Sequence, residues 1–310
     1  LEIIVDINFQ NGERHRVISI SVLEELEKEI REFVSVSRIN NFQKWIVNDL
    51  YCFTLPEVDF TIESILLIAV PHPFYSEVTF QYNQKRYHCI SLVSSEFERT
   101  RNTVKRELTK RKFNYLEAES LPLKRLSVQS GLSLYGRNNI TYIPEFGSNF
   151  SYMAFYSDLP PTVSNLSPVQ VSTSCEKCQA CIRVCPTGAI QKDSFLIDNE
   201  KCLSYLNESG DPFPDWVPVT AHHTVYDCIK CQKYCPMNVK HRNYKGRGID
   251  FTEEETNILL AGASFNDYPQ RLKEKSIYLG MDQWPAGIAK NLKILINRED
   301  GEIDPAMASI

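Results

Sequence analysis

Apolar residues along this chain recur with two periods, one of two and one of three to four, and the changes between them mark out the elements. Positions 1–20 alternate apolar and polar on both sides of Asn11-Gly12, which predicts a hairpin closed by a type I′ turn. Ser21 with Glu24 makes a capping-box pattern ahead of Leu23, Leu26, Ile30 and Phe33, which predicts a helix to about Val36. A second helix is expected over Asn41–Leu50, and the unbroken apolar run Ile65–Val70 before Pro71-His72-Pro73 reads as a buried strand. Glu77–Tyr82 and Arg86–Leu92 read as strands about a short turn. Ser95 and Glu98 then cap a helix whose inner face is Phe97, Val104 and Leu108. Phe113–Ala118 returns as a strand, Pro122–Ser130 is helical, and Gly131 is placed to end that helix in the left-handed region. Thr252 with Glu255 caps a helix through Leu260, Ala286–Asn297 forms another, and the last ten residues read as a mobile tail.

With 310 residues, 43% hydrophobic and 24% charged, the chain can bury a sizeable core and has room for two domains. A formal charge of -5 argues against general coating of nucleic acid. One helix is locally basic, with Arg99, Arg101, Lys105, Arg106, Lys110, Arg111 and Lys112 close together, either as a solvated face or for an anionic partner such as RNA. The run Ile65–Val70 is too short to span a bilayer, and no signal-like segment opens the chain, so the expected location is cytoplasmic. Neither glycine-bearing turn, Gly131–Arg137 or Phe146–Ser148, is a dinucleotide or P-loop fingerprint.

Cysteine changes the picture. Eight of the ten fall between 175 and 235, as Cys175, Cys178, Cys181, Cys185, Cys202, Cys228, Cys231 and Cys235. The first run reads C-x2-C-x2-C-x3-C-P and the last C-x2-C-x3-C-P, the bacterial ferredoxin arrangement for cubane [4Fe-4S] clusters. Three closely spaced thiolates wrap three corners of one cubane, and the fourth cysteine is expected to open a helix and ligate the neighbouring cluster, with Pro186 and Pro236 in the first helical turn. The pattern Cys178, Cys181, Cys185, Pro186 recurs 50 positions later, but Val225 stands where a copy of Cys175 would fall, and Cys202 is available instead. One cluster is therefore assigned to Cys175, Cys178, Cys181 and Cys235, and the other to Cys185, Cys202, Cys228 and Cys231. Zinc prefers two separated C-x2-C pairs, and disulfides need an oxidising compartment, so neither fits as well. Cys52 and Cys89 read as small core residues, and His222-His223 as a loop pair rather than a metal site.

Asp158–Pro168, with three prolines, reads as a linker and divides the chain into 1–165, a ferredoxin-like domain over 166–247 and a helical segment over 248–310. Clusters move single electrons, and the large preceding domain suggests that they are used within the molecule.

Ordered motifs on both sides of that linker resemble the epoxyqueuosine reductase family, which is related to the reductive dehalogenases. They are Leu123–Asn138 with Ser130-Gly131-Leu132-Ser133-Leu134-Tyr135-Gly136-Arg137-Asn138, then Glu145-Phe146-Gly147-Ser148, Ser157-Asp158-Leu159-Pro160, Pro186–Ile190, Cys202–Leu206 and Asp227–Gln232. The resemblance implies an α+β fold: a nitroreductase-like α/β domain that binds cobalamin and substrate, a domain with two [4Fe-4S] clusters, and a short helical C-terminal segment. It implies reduction of the epoxide of epoxyqueuosine in tRNA, or of a related substrate, with electrons from an external low-potential donor. Glu117 aligns with the proton-donating aspartate of the family, and Glu119 is its rival. Tyr87, His88, Arg137, Thr141, Ser148 and Ser204 are the cobalamin contacts that the resemblance implies. Leu134 and Arg137 replace the usual tryptophan and lysine, and no room remains for a helical-repeat tail. A different class, an electron-transfer protein that reduces a partner's cofactor, and an RNA-binding module built on the basic helix are the competing readings.

Overall fold

A computed structural model describes residues 7, 9 and 11–298. Its strands are β1 (Arg14–Ser19), β2 (Ser64–Pro71), β3 (Ser76–Tyr82), β4 (Lys85–Ser91), β5 (Tyr115–Glu117), β6 (Leu134–Tyr135), β7 (Thr141–Tyr142), β8 (Phe150–Ser157) and β9 (Ile249–Phe251). Its helices are α1 (Val22–Val36), α2 (Asn41–Trp45), α3 (Phe97–Lys110), α4 (Leu123–Gln129), α5 (Ala180–Val184), α6 (Leu203–Glu208), α7 (Lys230–Lys233), α8 (Glu253–Leu260), α9 (Gln270–Tyr278) and α10 (Pro285–Asn297). Most of the first strand of the expected N-terminal hairpin and the whole terminal tail lie outside the described residues; Gly12 itself stands at φ 81°.

Packing divides the chain into two compact units, residues 1–72 with 95–178 and residues 73–94 with 179–310. The first is built on the antiparallel sheet β1-β2-β8-β5. Strand β2 explains its own apolar run, because both faces are covered. Ile65, Leu67 and Ala69 pack with Leu23, Leu26 and Ile30 of α1 and Leu126 of α4. Leu66, Ile68 and Val70 face the other way, onto Val104 and Leu108 of α3. The beginning of the expected linker is pinned to this sheet, with the Thr162 and Val163 amides donating to the Val17 carbonyl at 2.8 and 3.0 Å.

The second unit takes hairpin β3–β4 from the middle of the first half of the sequence. That hairpin belongs here because β9 pairs parallel with β3, Val78 opposite Ile249 and Phe80 opposite Phe251. The Phe80 and Phe251 rings stack at 4.7 Å, and Leu259, Leu272, Ile288 and Leu292 of α8, α9 and α10 complete that core.

Several local expectations are corrected. Ser21 is itself helical in φ and ψ and caps nothing; its hydroxyl meets Ser19 instead. Ser95 donates to the Val70 carbonyl at 3.1 Å, so α3 starts from Glu96 without a side-chain cap. The helix over 41–50 widens after Trp45 into a π-helical turn, Ile46–Leu50. Cys185 ends α5 in an extended conformation and Pro186 enters a turn, so no helix opens there, whereas Pro236 does begin a short 3-10 turn. Cys52 is exposed and not a core residue; Cys89 is buried, which pushes its thiol up to about 12. The Thr252–Glu255 capping box is formed, and Gly131 is left-handed at φ 72°.

Candidate functional site

In the second unit, Cys202 stands at the N-terminus of α6 and Cys228 follows a left-handed turn at Asp227, φ 63°. Burial is the main cause that raises both thiols, and the charges of Asp227 and of Cys185 raise each of them further, which puts Cys185 within electrostatic reach of both. Backbone N–H groups answer the sulfurs: Ser204 and Tyr205 toward Cys202, Lys230 toward Cys228. Cys231 lies on α7, which packs on α5. Half-buried thiols near one another, with amide donors, suit a cluster, whose iron displaces the protons that burial would otherwise hold. Among the described residues no group of three His, Cys, Asp or Glu is arranged around a single metal ion, and a cubane, which spreads four thiolates over four irons, does not require one. All ten cysteines are free of disulfides.

Asp227 organises the loop that carries Cys228. Its carboxylate accepts the Ser204 hydroxyl and the Cys228 N–H, the latter at 2.8 Å, while its carbonyl accepts Asn207 Nδ2 at 2.7 Å and Thr224 Oγ1 at 2.6 Å. Burial raises its carboxyl, and the two hydrogen bonds to the carboxylate oppose that rise. Nearby, burial and then the Asp227 charge push the Glu208 carboxyl up to about 7. Ser204 is thus engaged, through Asp227, beside Cys228.

Cys175 and Cys178 belong to the first unit. The turn after β6 sits against Cys175: the Arg137 N–H points at its sulfur at 3.4 Å, and the Arg137 guanidinium donates to its carbonyl at 2.7 Å. Gly136 is required there, because a Cβ would lie 2.7 Å from both Asn138 Oδ1 and the Tyr142 ring. Main-chain bonds from Tyr135 to the Gln170 carbonyl and from Ser172 to the Tyr135 carbonyl hold the approach to Cys175 on the same turn.

Glu117 ends β5 and receives both guanidinium arms of Arg101, at 2.7 and 2.8 Å. That hydrogen-bonded ion pair holds its carboxyl below the ordinary value, so at neutral pH it is ionised and has no proton to give in this geometry. Glu119 is exposed on the loop that follows, beside Ser120 at φ 60°. Tyr87 and His88 lie on β4; the Tyr87 ring packs on the core of the second unit, and His88 Nδ1 meets Thr79 Oγ1 at 3.1 Å. Thr141 and Ser148 are buried in the first unit, Thr141 Oγ1 accepting the Tyr152 hydroxyl at 3.0 Å. That hydroxyl also reaches Ser133 Oγ, which bonds Ser127, so a row of hydroxyls lines this part of the unit.

Of the basic helix, Arg99, Arg101, Arg106 and Arg111 pair with glutamates, and Lys105, Lys110 and Lys112 remain exposed. His222 and His223 are buried loop residues, held down to about 4 and about 3 chiefly by burial. Asn207 and Tyr152 carry no sequence signal of their own, because each matters through partners remote in the chain. No helix of the described residues is long and apolar enough to cross a membrane.

Residues 174–238 match the family described as a 4Fe-4S double cluster binding domain. The chain is 32% identical over 171 residues to the epoxyqueuosine reductase of Francisella cf. novicida (strain Fx1), covering 53% of this chain and 46% of that relative. It is 32% identical over 123 residues to that of Escherichia coli (strain K12), covering 39% and 31%. The chain thus spans less than half the length of these curated relatives. Its fold is that of solved epoxyqueuosine reductases. The Bacillus subtilis structure, solved with its catalytic loop swung out of the active site, gives a TM-score of 0.60 at 16% identity, covering 91% of this chain and 77% of that one. An epoxyqueuosine reductase with an epoxyqueuosine-modified tRNA-Tyr stem loop gives 0.60 at 15% identity, covering 95% and 79%.

Proposed function

We propose that this chain is a cytoplasmic, cobalamin-dependent iron–sulfur reductase of the epoxyqueuosine reductase type, acting on the epoxide of epoxyqueuosine in tRNA or on a related substrate. The observation that carries the reading is a double-cluster cysteine frame, with its thiols answered by amide N–H groups, within the fold of those enzymes. Functionally the chain divides into residues 1–165 for cobalamin and substrate, 166–247 for the clusters and 248–310 as a supporting helical segment. Cys175, Cys178, Cys181 and Cys235 hold one cluster, and Cys185, Cys202, Cys228 and Cys231 the other.

Removing an epoxide oxygen to leave an alkene takes two electrons and two protons and releases water. The clusters supply the electrons one at a time from an external low-potential donor. Cobalamin, when bound, contributes a low-valent cobalt able to pass that pair to the epoxide carbon. Thr141 and Ser148, with the hydroxyl row beside them, suit the amide-fringed edge of a corrin. His88, its Nδ1 steadied by Thr79, and Tyr87 are the contacts offered from β4. Arg137 and Ser204 act on the cluster side, one at Cys175 and the other through Asp227 beside Cys228.

The leaving oxygen needs a proton, because an alkoxide is a poor product without one. Glu117 takes that role only when Arg101 lets go; Glu119, on the exposed loop, is the other donor at this strand end. The tRNA has Lys105 and Lys110 of α3, with Lys112 in the turn just after it, to meet its phosphates. Anaerobic protein offered cobalamin should bind it with both clusters retained, and should convert epoxyqueuosine-tRNA under a strong reductant. Clusters without corrinoid binding would refute the reading. The Arg101–Glu117 pair favours one alternative, an electron-transfer protein that reduces a partner's corrinoid, and tightly bound cobalamin with turnover would remove it.

A further inference from the structure

Cys202 and Cys228 reach their shared site on separate segments, and a cluster tolerates little error in where its thiolates stand. The last carbonyls of a helix have no donor within it. At the end of α6, two of them are met by side chains of α10: Lys290 Nζ donates to the Leu206 carbonyl at 2.6 Å and Asn291 Nδ2 to the Asn207 carbonyl at 2.9 Å. The same Asn291 nitrogen donates to the Val225 carbonyl at 3.0 Å, on the segment that leads into Cys228. Asn207 continues the strap through its own amide to the Asp227 carbonyl at 2.7 Å. Asn291 is 1% exposed, so these carbonyls have no water to fall back on. Gly287, one turn earlier on α10, lets the backbones approach: a Cβ there would sit 2.5 Å from the Asn207 carbonyl oxygen.

We propose that Asn291 is a positioning residue for the second cluster. It ties the segment carrying Cys202 to the segment carrying Cys228, so a helix outside the matched 174–238 domain completes the cluster site. The inference rests on the reading that Cys185, Cys202, Cys228 and Cys231 hold a [4Fe-4S] cluster. Replacing Asn291 with leucine keeps the branched shape, though with a larger volume, and strands two buried carbonyls, which turn to find donors and carry the cysteine segments apart. Outer-shell partners of metal ligands act in this way, by fixing where the ligands stand.

The test uses the full chain, reconstituted anaerobically with iron and sulfide, in four forms: wild type, Asn291→Leu, Asn291→Ser, and Ile288→Val as a buried change on the same helix that leaves the strap intact. Iron content, loss of iron to a chelator and the reduced-cluster electron paramagnetic resonance spectrum are followed. Wild type should hold about eight irons per chain and Asn291→Leu about four, one of two cluster signals being lost while the other is unchanged. If the leucine variant does not fold, Asn291→Ser still serves, and should release half its iron about tenfold faster than wild type. Wild-type iron retention and signals in the serine variant, or equal losses in Ile288→Val, overturn the proposal. A wild type that never exceeds about four irons refutes the underlying cluster assignment instead, and the proposal with it.

Discussion

Replacing Gly287 with alanine tests the docking of α10 on α6, because two effects of opposite sign compete there. In an open helix the change would stabilise, since alanine exceeds glycine in helix propensity by about 1 kcal/mol. Here the new methyl would stand 2.5 Å from the Asn207 oxygen, 2.7 Å from the Glu208 oxygen and 3.0 Å from the Glu208 carbonyl carbon, all of them backbone atoms. Backbone cannot rotate aside as a side-chain tip does, so α10 must lift by several tenths of an ångström. Overpacking of this kind costs about 1–3 kcal/mol. The lift also stretches the bonds from Lys290 and Asn291 to Leu206, Asn207 and Val225, each worth about 1 kcal/mol. The net expectation is a loss of about 2–4 kcal/mol against the propensity gain, or a thermal midpoint lowered by roughly 5–15 °C. Anaerobic thermal unfolding of the holo-protein, followed by the visible absorbance of the clusters, reads the segments that carry the cysteines. A midpoint that rises by a few degrees would refute the reasoning, for it would mean that the helices do not approach so closely.

Two further tests address charge. Because Glu208 is raised to about 7 from 4.5, the folded state binds more protons between those values, so stability falls as pH rises through that window; Glu208→Gln should remove the fall and leave the variant more stable at pH 8 by roughly 1–2 kcal/mol, allowing for solvent screening of a part-exposed group, with no gain at pH 4.5. Urea midpoints across pH 4–8 check this, and a parallel profile in the variant would contradict it. Glu117 has the opposite sign: its depressed pKa contributes stability that is present above the ordinary carboxylate value and lost as pH falls through the folded one. Arg101→Met should therefore cost about 0.5 kcal/mol at neutral pH and nothing in strong acid, and should raise the Glu117 titration seen by carbon-13 NMR. If Glu117 is the proton donor, the same variant turns over faster at pH 7; no change there, with activity abolished in Glu119→Gln, would assign the proton to Glu119.

Much of the first unit could be read from periodicity, since β2 is apolar without interruption only because α1 and α4 cover one face and α3 the other. Strand β8, an inner strand of the same sheet, is not predicted although Phe150–Ser157 is rich in aromatic residues, because most of its positions are buried and no alternation of apolar and polar residues marks it. Caps were legible only where nothing else competed for the hydroxyl. Thr252 caps α8, but Ser95 is taken by the Val70 carbonyl. The cluster cysteines were visible because a cubane dictates spacing along the chain. Arg101 and Asn291 were not, because an ion pair or an amide donor is defined by its remote partner. The basic run of α3 was plain in sequence, yet four of its arginines are answered by glutamates nearby in space.

Pairing of β3 with β9 has a consequence during synthesis. The hairpin over 73–94 leaves the ribosome early, but its parallel partner and the stacked ring of Phe251 arrive only after the intervening sheet strands and every cluster cysteine have been made. At the usual pace of translation the hairpin waits about 8–30 s with an open edge. A nascent chain stalled before residue 249 would therefore expose β3 to any other unpaired strand nearby.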